Sequence, residues 1–299
     1  MLEYNSLYDS AIASVSNYGC FACRGGPAAE ESPGGNKIVL MRHGVFCRHF
    51  GKQIVTSDVN QATFFSEGLS YRVSHPADCG DRGTVFSVSP RILNDMIREF
   101  DPSIDDRPER PFPFFTGPCH TTTFYRHREL VRTLESVQFP PLDPLWVDEK
   151  VMEIIADVLD AAFQRHGAPK KQHRPRTNQS HTELAESAKS YIASRIGENI
   201  TLDEIARAVG TSPFHLTRVF RRRTGLPVHR YTICLRLRTS LERLAAGVND
   251  LTTLALELGF SSHSHFSDSF RREFGCSPSA MRNNLTRKSL REMSKNLEV

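Results

Sequence analysis

The sequence predicts a mixed α+β chain in two parts, an N-terminal β-barrel capped by a pair of helices and an all-α C-terminal part built on a repeated helix-turn-helix unit. Three observations carry this. Short apolar segments separated by turn formers run through residues 20–100, two apolar stripes at helical spacing follow, and beyond residue 181 a helical pattern recurs at a separation of about 50 residues. The length of 299 residues suits two domains of ordinary size. With 39% hydrophobic and 24% charged residues there is material for cores, which excludes wholesale disorder.

The strand rhythm comes first. Lys37 to Met41, Val45 to Phe50, Gln61 to Phe65, Tyr71 to Ser74 and Thr84 to Ser89 are punctuated by Gly51, Gly68, Pro76 and Gly80. A proline-rich passage from Pro102 to Pro118 leads into the two stripes. His127, Leu130, Val131 and Leu134 form one; Val147, Val151, Ile154, Ile155, Val158 and Ala162 form the other, which suits either packing on the barrel or a dimer seam. Residues 164–180 (QRHGAPKKQHRPRTNQS) read as a basic linker, so the expected domains are 1–163 and 181–299. The net charge of +4 conceals an asymmetry. Residues 1–163 carry 15 Lys+Arg against 22 Asp+Glu, whereas residues 181–299 carry 18 against 12. A basic C-terminal part beside an acidic one is what nucleic-acid binding by a separate domain would produce.

In the C-terminal part Thr182 is a candidate N-cap for the first helix. The repeat then takes the form LDEIARAVGTSPFHLTRVFRRRTG (202–225) and LTTLALELGFSSHSHFSDSFRREFG (251–275). In each copy a short apolar stripe ends at a glycine, Gly210 or Gly259, able to supply the positive φ of a tight turn. Ser212 with Pro213 at the first helical position, and Ser261 or Ser262, then start a second helix. Helical spacing puts Leu216, Val219, Phe220 and Arg223, and in the second copy Phe266, Ser269, Phe270 and Glu273, on one shared face, with the phenylalanines turned inward. The outward face carries Phe214, Thr217, Arg218 and Arg221 in the first copy, and Ser264, Ser267, Asp268 and Arg271 in the second. Such a polar and cationic face suits base edges and phosphates in a major groove. Val228 to Ala246 reads as one long helix between the copies, able to hold two reading heads about one DNA turn, roughly 34–36 Å, apart.

The segment LGFSSHSHFSDSFRREFGCSPSAMR closely resembles the signature of the AraC/XylS family of bacterial transcription regulators, and the resemblance extends over about Thr182 to Arg287. It implies that Phe214, Thr217 and Arg218 in the first unit, and His263, Ser264, Ser267 and Asp268 in the second, face the bases of double-stranded promoter DNA. Asp268 stands where many relatives have arginine, Val228 where proline is common, and Met281 where an aromatic residue is usual. The same resemblance implies a cupin-like N-terminal barrel that senses a small-molecule effector and supports a homodimer, with RNA polymerase as a further partner. On the buried face of the barrel Phe46, Phe64 and Tyr71 are candidates either to line its apolar pocket or simply to fill its core.

The expected work is binding, with no catalytic residue, metal or cofactor. His43 and His49 lack the His-x-His spacing of a cupin metal centre. The Cys20-x-x-Cys23 pair has metal-like spacing but no second close pair beside it; seven cysteines at wide spacing suggest ordinary reduced thiols. The rival reading is a thiol- or metal-based sensor or enzyme at Cys20 and Cys23, targeted to DNA by the same C-terminal domain. Without a leader-like N-terminus or a long apolar run, the chain is expected to have no membrane partner and to be cytoplasmic.

Overall fold

A computed structural model describes residues 2–21, 27–77, 80–136, 142–167 and 176–287. The chain opens with a hairpin, β1 (Leu2–Asp9) and β2 (Ala13–Cys20), followed by β3 (Glu30–Glu31), β4 (Lys37–His43), β5 (Val45–Phe50), β6 (Gln53–Asp58), β7 (Gln61–Phe65), β8 (Tyr71–Ser74) and β9 (Asp81–Val88). After helix α1 (Pro90–Arg98) and a 3-10 turn (Pro102–Asp106) comes β10 (Thr116–Pro118). These strands form two antiparallel sheets, ordered β1-β2-β9-β4-β7-β10 and β3-β8-β5-β6. The strand rhythm marked β4, β5, β7, β8 and β9; it did not mark the hairpin β1–β2, the strands β3, β6 and β10, or helix α1.

Apolar residues close the sheets on each other. Val15, Ile38, Leu40, Phe64 and Phe86 are essentially inaccessible to solvent. Phe46 and Phe64 belong to this core, and Tyr71 packs against Phe50 and Phe65. Two clefts among the described residues are lined by other side chains, and the packing of these three aromatics is that of core residues. One charge is buried with them. Arg48 donates to the carbonyls of Phe64 and Phe115, each at 2.8 Å, and its guanidinium carbon lies 4.2 Å from the Phe65 ring centre. Burial lowers its pKa to about 9.

Helices α2 (Thr121–Glu135) and α3 (Pro144–His166) pack on the sheets. Asp143 caps α3 by accepting from the Leu145 amide, and Pro144 sits in the first turn. The stripe Val151, Ile155, Val158 and Ala162 is fully buried within the chain, which removes it as a dimer seam. Tyr8 and Ser10 donate to Asp148 Oδ1 at 2.9 and 2.8 Å and fasten the first hairpin to α3.

The C-terminal helices are α4 (Arg176–Ser194), α5 (Leu202–Ala208), α6 (Pro213–Thr224), α7 (Val228–Ala245), α8 (Leu251–Glu257), α9 (His263–Phe274) and α10 (Pro278–Arg287). Helix α4 starts upstream of Thr182, which is therefore an interior residue and no cap. Helix α7 is buried almost all round, because the sheets reach it on one side and the helical repeats on the other. Asn60 Nδ2 donates to the Tyr231 carbonyl at 3.1 Å, the Tyr231 hydroxyl donates to the buried Asp58 carboxylate, and Arg238 donates to the Val59 carbonyl at 3.0 Å. Lys189 of α4 adds bonds to the Thr56 carbonyl and Gln61 Oε1 at 3.2 and 3.0 Å. One apolar core runs through both parts.

Candidate nucleic-acid interface

Each repeat builds its second helix by the same local chemistry. Thr201 and Glu204 form a reciprocal capping box at the start of α5. Gly210 then turns the chain at φ 68°, and Ser212 Oγ accepts from the His215 amide at 3.2 Å to begin α6. In the second copy Asp250 accepts from the amides of Thr252 and Thr253 at 2.9 and 3.0 Å, Gly259 turns at φ 76°, and Ser262 Oγ accepts from the His265 amide at 3.1 Å. Gly225 and Gly275 end α6 and α9 in the left-handed conformation. The turns differ in their surroundings. A methyl group on Gly210 would meet open space, whereas one on Gly259 would stand 2.6 Å from Arg236 Nη2.

Burial sorts the side chains as helical spacing requires. Leu216, Val219 and Phe220 anchor α6, and Phe266, Ser269, Phe270, Glu273 and Phe274 anchor α9. Opposite them, Phe214, Arg218 and Arg221 are exposed on α6, with Thr217 half-buried; its hydroxyl bonds back to the Phe214 carbonyl at 2.9 Å. Phe214 is 77% exposed, so it has no packing role in the isolated chain. On α9, His263, Ser264, Asp268 and Arg271 are exposed and Ser267 is half-buried, its Oγ 3.4 Å from His263 Nε2. Arg222 and Arg272, which the sequence reading passed over, are exposed on the same helices. Their place one step beyond Arg221 and Arg271 in the basic last turns was the available signal.

The electrostatics of the two faces differ. Helix α6 contains no acidic residue. The pKa of nearby His181 is lowered, first by burial, then by the positive charges of His215, Arg223, Arg218 and Arg222. On α9, Asp268 lies 4.0 Å from Arg271 and offsets part of its charge.

The expected thiol pair falls partly outside the described residues: Cys20 ends β2, and Cys23 is not described. Burial pushes the thiols of Cys47 and Cys234 up, and that of Cys119 up to about 11, which makes them poor nucleophiles. No helix among the described residues is long and apolar enough to cross a membrane.

Two capped helix-turn-helix units joined through one buried helix define a double helix-turn-helix protein. A family model described as a helix-turn-helix domain matches residues 205–284. Regulatory protein SoxS of Salmonella typhimurium is 30% identical over 106 residues, which are 36% of this chain and 99% of that protein. The transcriptional regulator ArgR of Pseudomonas aeruginosa is 30% identical over 131 residues, 44% of this chain. The match spans only 39% of the length of ArgR. Among solved structures, an apo ToxT from Vibrio cholerae aligns over 93% of this chain and 99% of its own, with 13% identity and a TM-score of 0.41. The chain belongs to the AraC-type family of DNA-binding transcription regulators.

Proposed function

We propose that the chain reads a specific duplex sequence through α6 and α9, each entering one of two neighbouring major-groove segments, and that the sheet part makes this reading responsive to an effector. The reading rests on one observation: both helices are anchored by buried aromatic side chains while Phe214, Thr217, Arg218 and Arg221, and His263, Ser264, Ser267, Asp268 and Arg271, face outward. In this division of labour, arginines supply phosphate contacts and salt-dependent affinity, while Thr217, Arg218, His263 and Ser267 discriminate bases. The domains are taken as 1–163 and 181–299 with a joining segment 164–180, and the work is binding, carried out in the cytoplasm. An effector response would act through the bonds from Asp58, Val59 and Asn60 to α7, because that helix carries both units. A homodimer and RNA polymerase are further partners of this reading.

The test is selection of bound sequences from random duplex DNA, followed by affinity measurements on the selected site. Arg218→Ala should weaken binding by about 1–3 kcal/mol and relax preference at one base pair, as loss of a bidentate base contact does. Arg222→Ala should weaken all sequences alike and lower the salt dependence by about one phosphate. Unchanged affinity and unchanged preference in Arg218→Ala would reject the base-reading role.

A further inference from the structure

At one end of the barrel, three residues from separate stretches of sequence converge. Cys20 closes β2, Asp81 opens β9, and the register of those strands sets the two directly opposite each other. His75 follows the last residue of β8 in the other sheet. One ligand atom from each, the Cys20 sulfur, a His75 ring nitrogen and an Asp81 carboxylate oxygen, all lie within 4.8 Å of one another.

Three features separate this cluster from a chance meeting of polar groups. Asp81 is only 2% exposed, its Oδ2 stands 2.9 Å from His75 Nε2, and the buried Tyr18 hydroxyl is a further neighbour of its carboxylate. An opening of a few tenths of an ångström, to about 3.3 Å, would set these two atoms as tetrahedral neighbours on one ion at bonds of about 2.0–2.1 Å. The backbone around them is fixed by close approach. Gly80 holds φ 65° with the Cys20 carbonyl 2.5 Å from where a Cβ would stand, and a Cβ on Gly44 would lie 2.9 Å from that of Asp81. Finally, a thiolate and a carboxylate with a neutral imidazole carry the two negative charges that balance a divalent ion, and sulfur with nitrogen favours the zinc class over magnesium or calcium.

We propose that Cys20, His75 and Asp81 form a binding site for one zinc-class divalent cation, which ties the end of β2 and β9 in one sheet to β8 in the other. The fourth position of a four-coordinate ion is open to water or a small ligand. The tie has a place in the larger structure. Ser74 and Pro76, on either side of His75, line a cleft of about 330 Å³ whose other wall is α4, with Glu186, Ser190 and Tyr191. An ion at His75 therefore fixes one wall of the cleft between the sheets and the first C-terminal helix.

The experiment is a cobalt(II) titration of the full chain, stripped with chelator and kept reduced. One equivalent should bind and produce a near-ultraviolet thiolate-to-cobalt charge-transfer band, which zinc then abolishes by displacement. Cys20→Ser should remove the band, and His75→Ala and Asp81→Asn should each weaken binding at least about tenfold. Cys23 and Cys79 are close to these residues in sequence, so the titration is repeated on Cys23→Ser/Cys79→Ser, which should keep the band. Circular dichroism confirms that each variant is folded, and the unsubstituted chain tests the claim without any substitution. No band in that chain, a band surviving in Cys20→Ser, full affinity in both His75→Ala and Asp81→Asn, or loss of the band in Cys23→Ser/Cys79→Ser would each overturn the assignment.

Discussion

Arg236→Ala should lower the stability of the chain by about 3–5 kcal/mol, measured as a shift in urea unfolding at constant slope. Arg236 is 6% exposed and its guanidinium bonds to three backbone carbonyls: Ile196 at 2.9 Å, Gly259 at 2.7 Å and Glu198 at 2.6 Å. It thus ties the segment after α4 to the turn of the second repeat, and alanine would leave three acceptors without their donor. Lysine cannot reproduce the fork and should recover only part of the loss. The same clamp sets the cost of crowding Gly259. Gly210→Ala should cost about 1–2 kcal/mol, the penalty of a side chain in left-handed backbone. Gly259→Ala adds a collision with the Arg236 guanidinium, 2.7 Å from the new Cβ at its central carbon, and should cost about 3 kcal/mol. Equal losses at the two glycines would sink the clamp.

Acid should destabilise the chain through His127. The imidazole is completely buried, neither ring nitrogen has a hydrogen-bond partner, and the rings of Phe86 and Phe124 meet it nearly edge to face. Burial, then the neighbouring positive charges of Arg128 and Arg42, hold its pKa well below the usual histidine value. The unfolded chain protonates this residue near pH 6.5 and the folded chain does not, so below that pH the unfolded state binds the extra proton. Stability is then lost by about 1.4 kcal/mol per pH unit as pH falls from ~6.5 toward the folded pKa. Above pH ~6.5 the contribution is flat. His127→Phe fits an aromatic setting and should remove this part of the acid limb. Identical pH profiles of unfolding for the two chains would refute the assignment.

The helical half was legible because its signals are local. A capping serine, a glycine turn and an apolar stripe act within a few residues, and a repeat shows them twice; Ser212, Gly210, Ser262 and Gly259 are where that chemistry requires them. The first hairpin was not legible, since LEYNSLYD and ASVSNYGC mix serine, asparagine and tyrosine with few apolar residues, and β2 gains its buried face only by lying beside β9. Nor was the start of α4, which lies in a segment whose proline and charge read as linker. The groups gripping α7 were illegible for a simpler reason: Asp58 and Tyr231 lie 173 positions apart, and Val59 and Arg238 lie 179. Cys20, His75 and Asp81 share that property. The spacing of Cys20 and Cys23 drew notice in the sequence, while the partners that strand register supplies did not.

The unlike charge of the two outward helices bears on orientation. Arg218, Arg221 and Arg222 give α6 a face without acidic residues, while Asp268 tempers Arg271 on α9. A rod of evenly spaced phosphates has no preferred heading, so a molecule with matched probes could sit either way round with little loss. On the proposed reading by α6 and α9, unmatched probes break that equivalence: reversing the molecule exchanges a strongly cationic contact for a weaker one and presents each base step with the wrong side chains. The binding site of this chain should therefore be asymmetric, and the bound protein should point one way along a promoter.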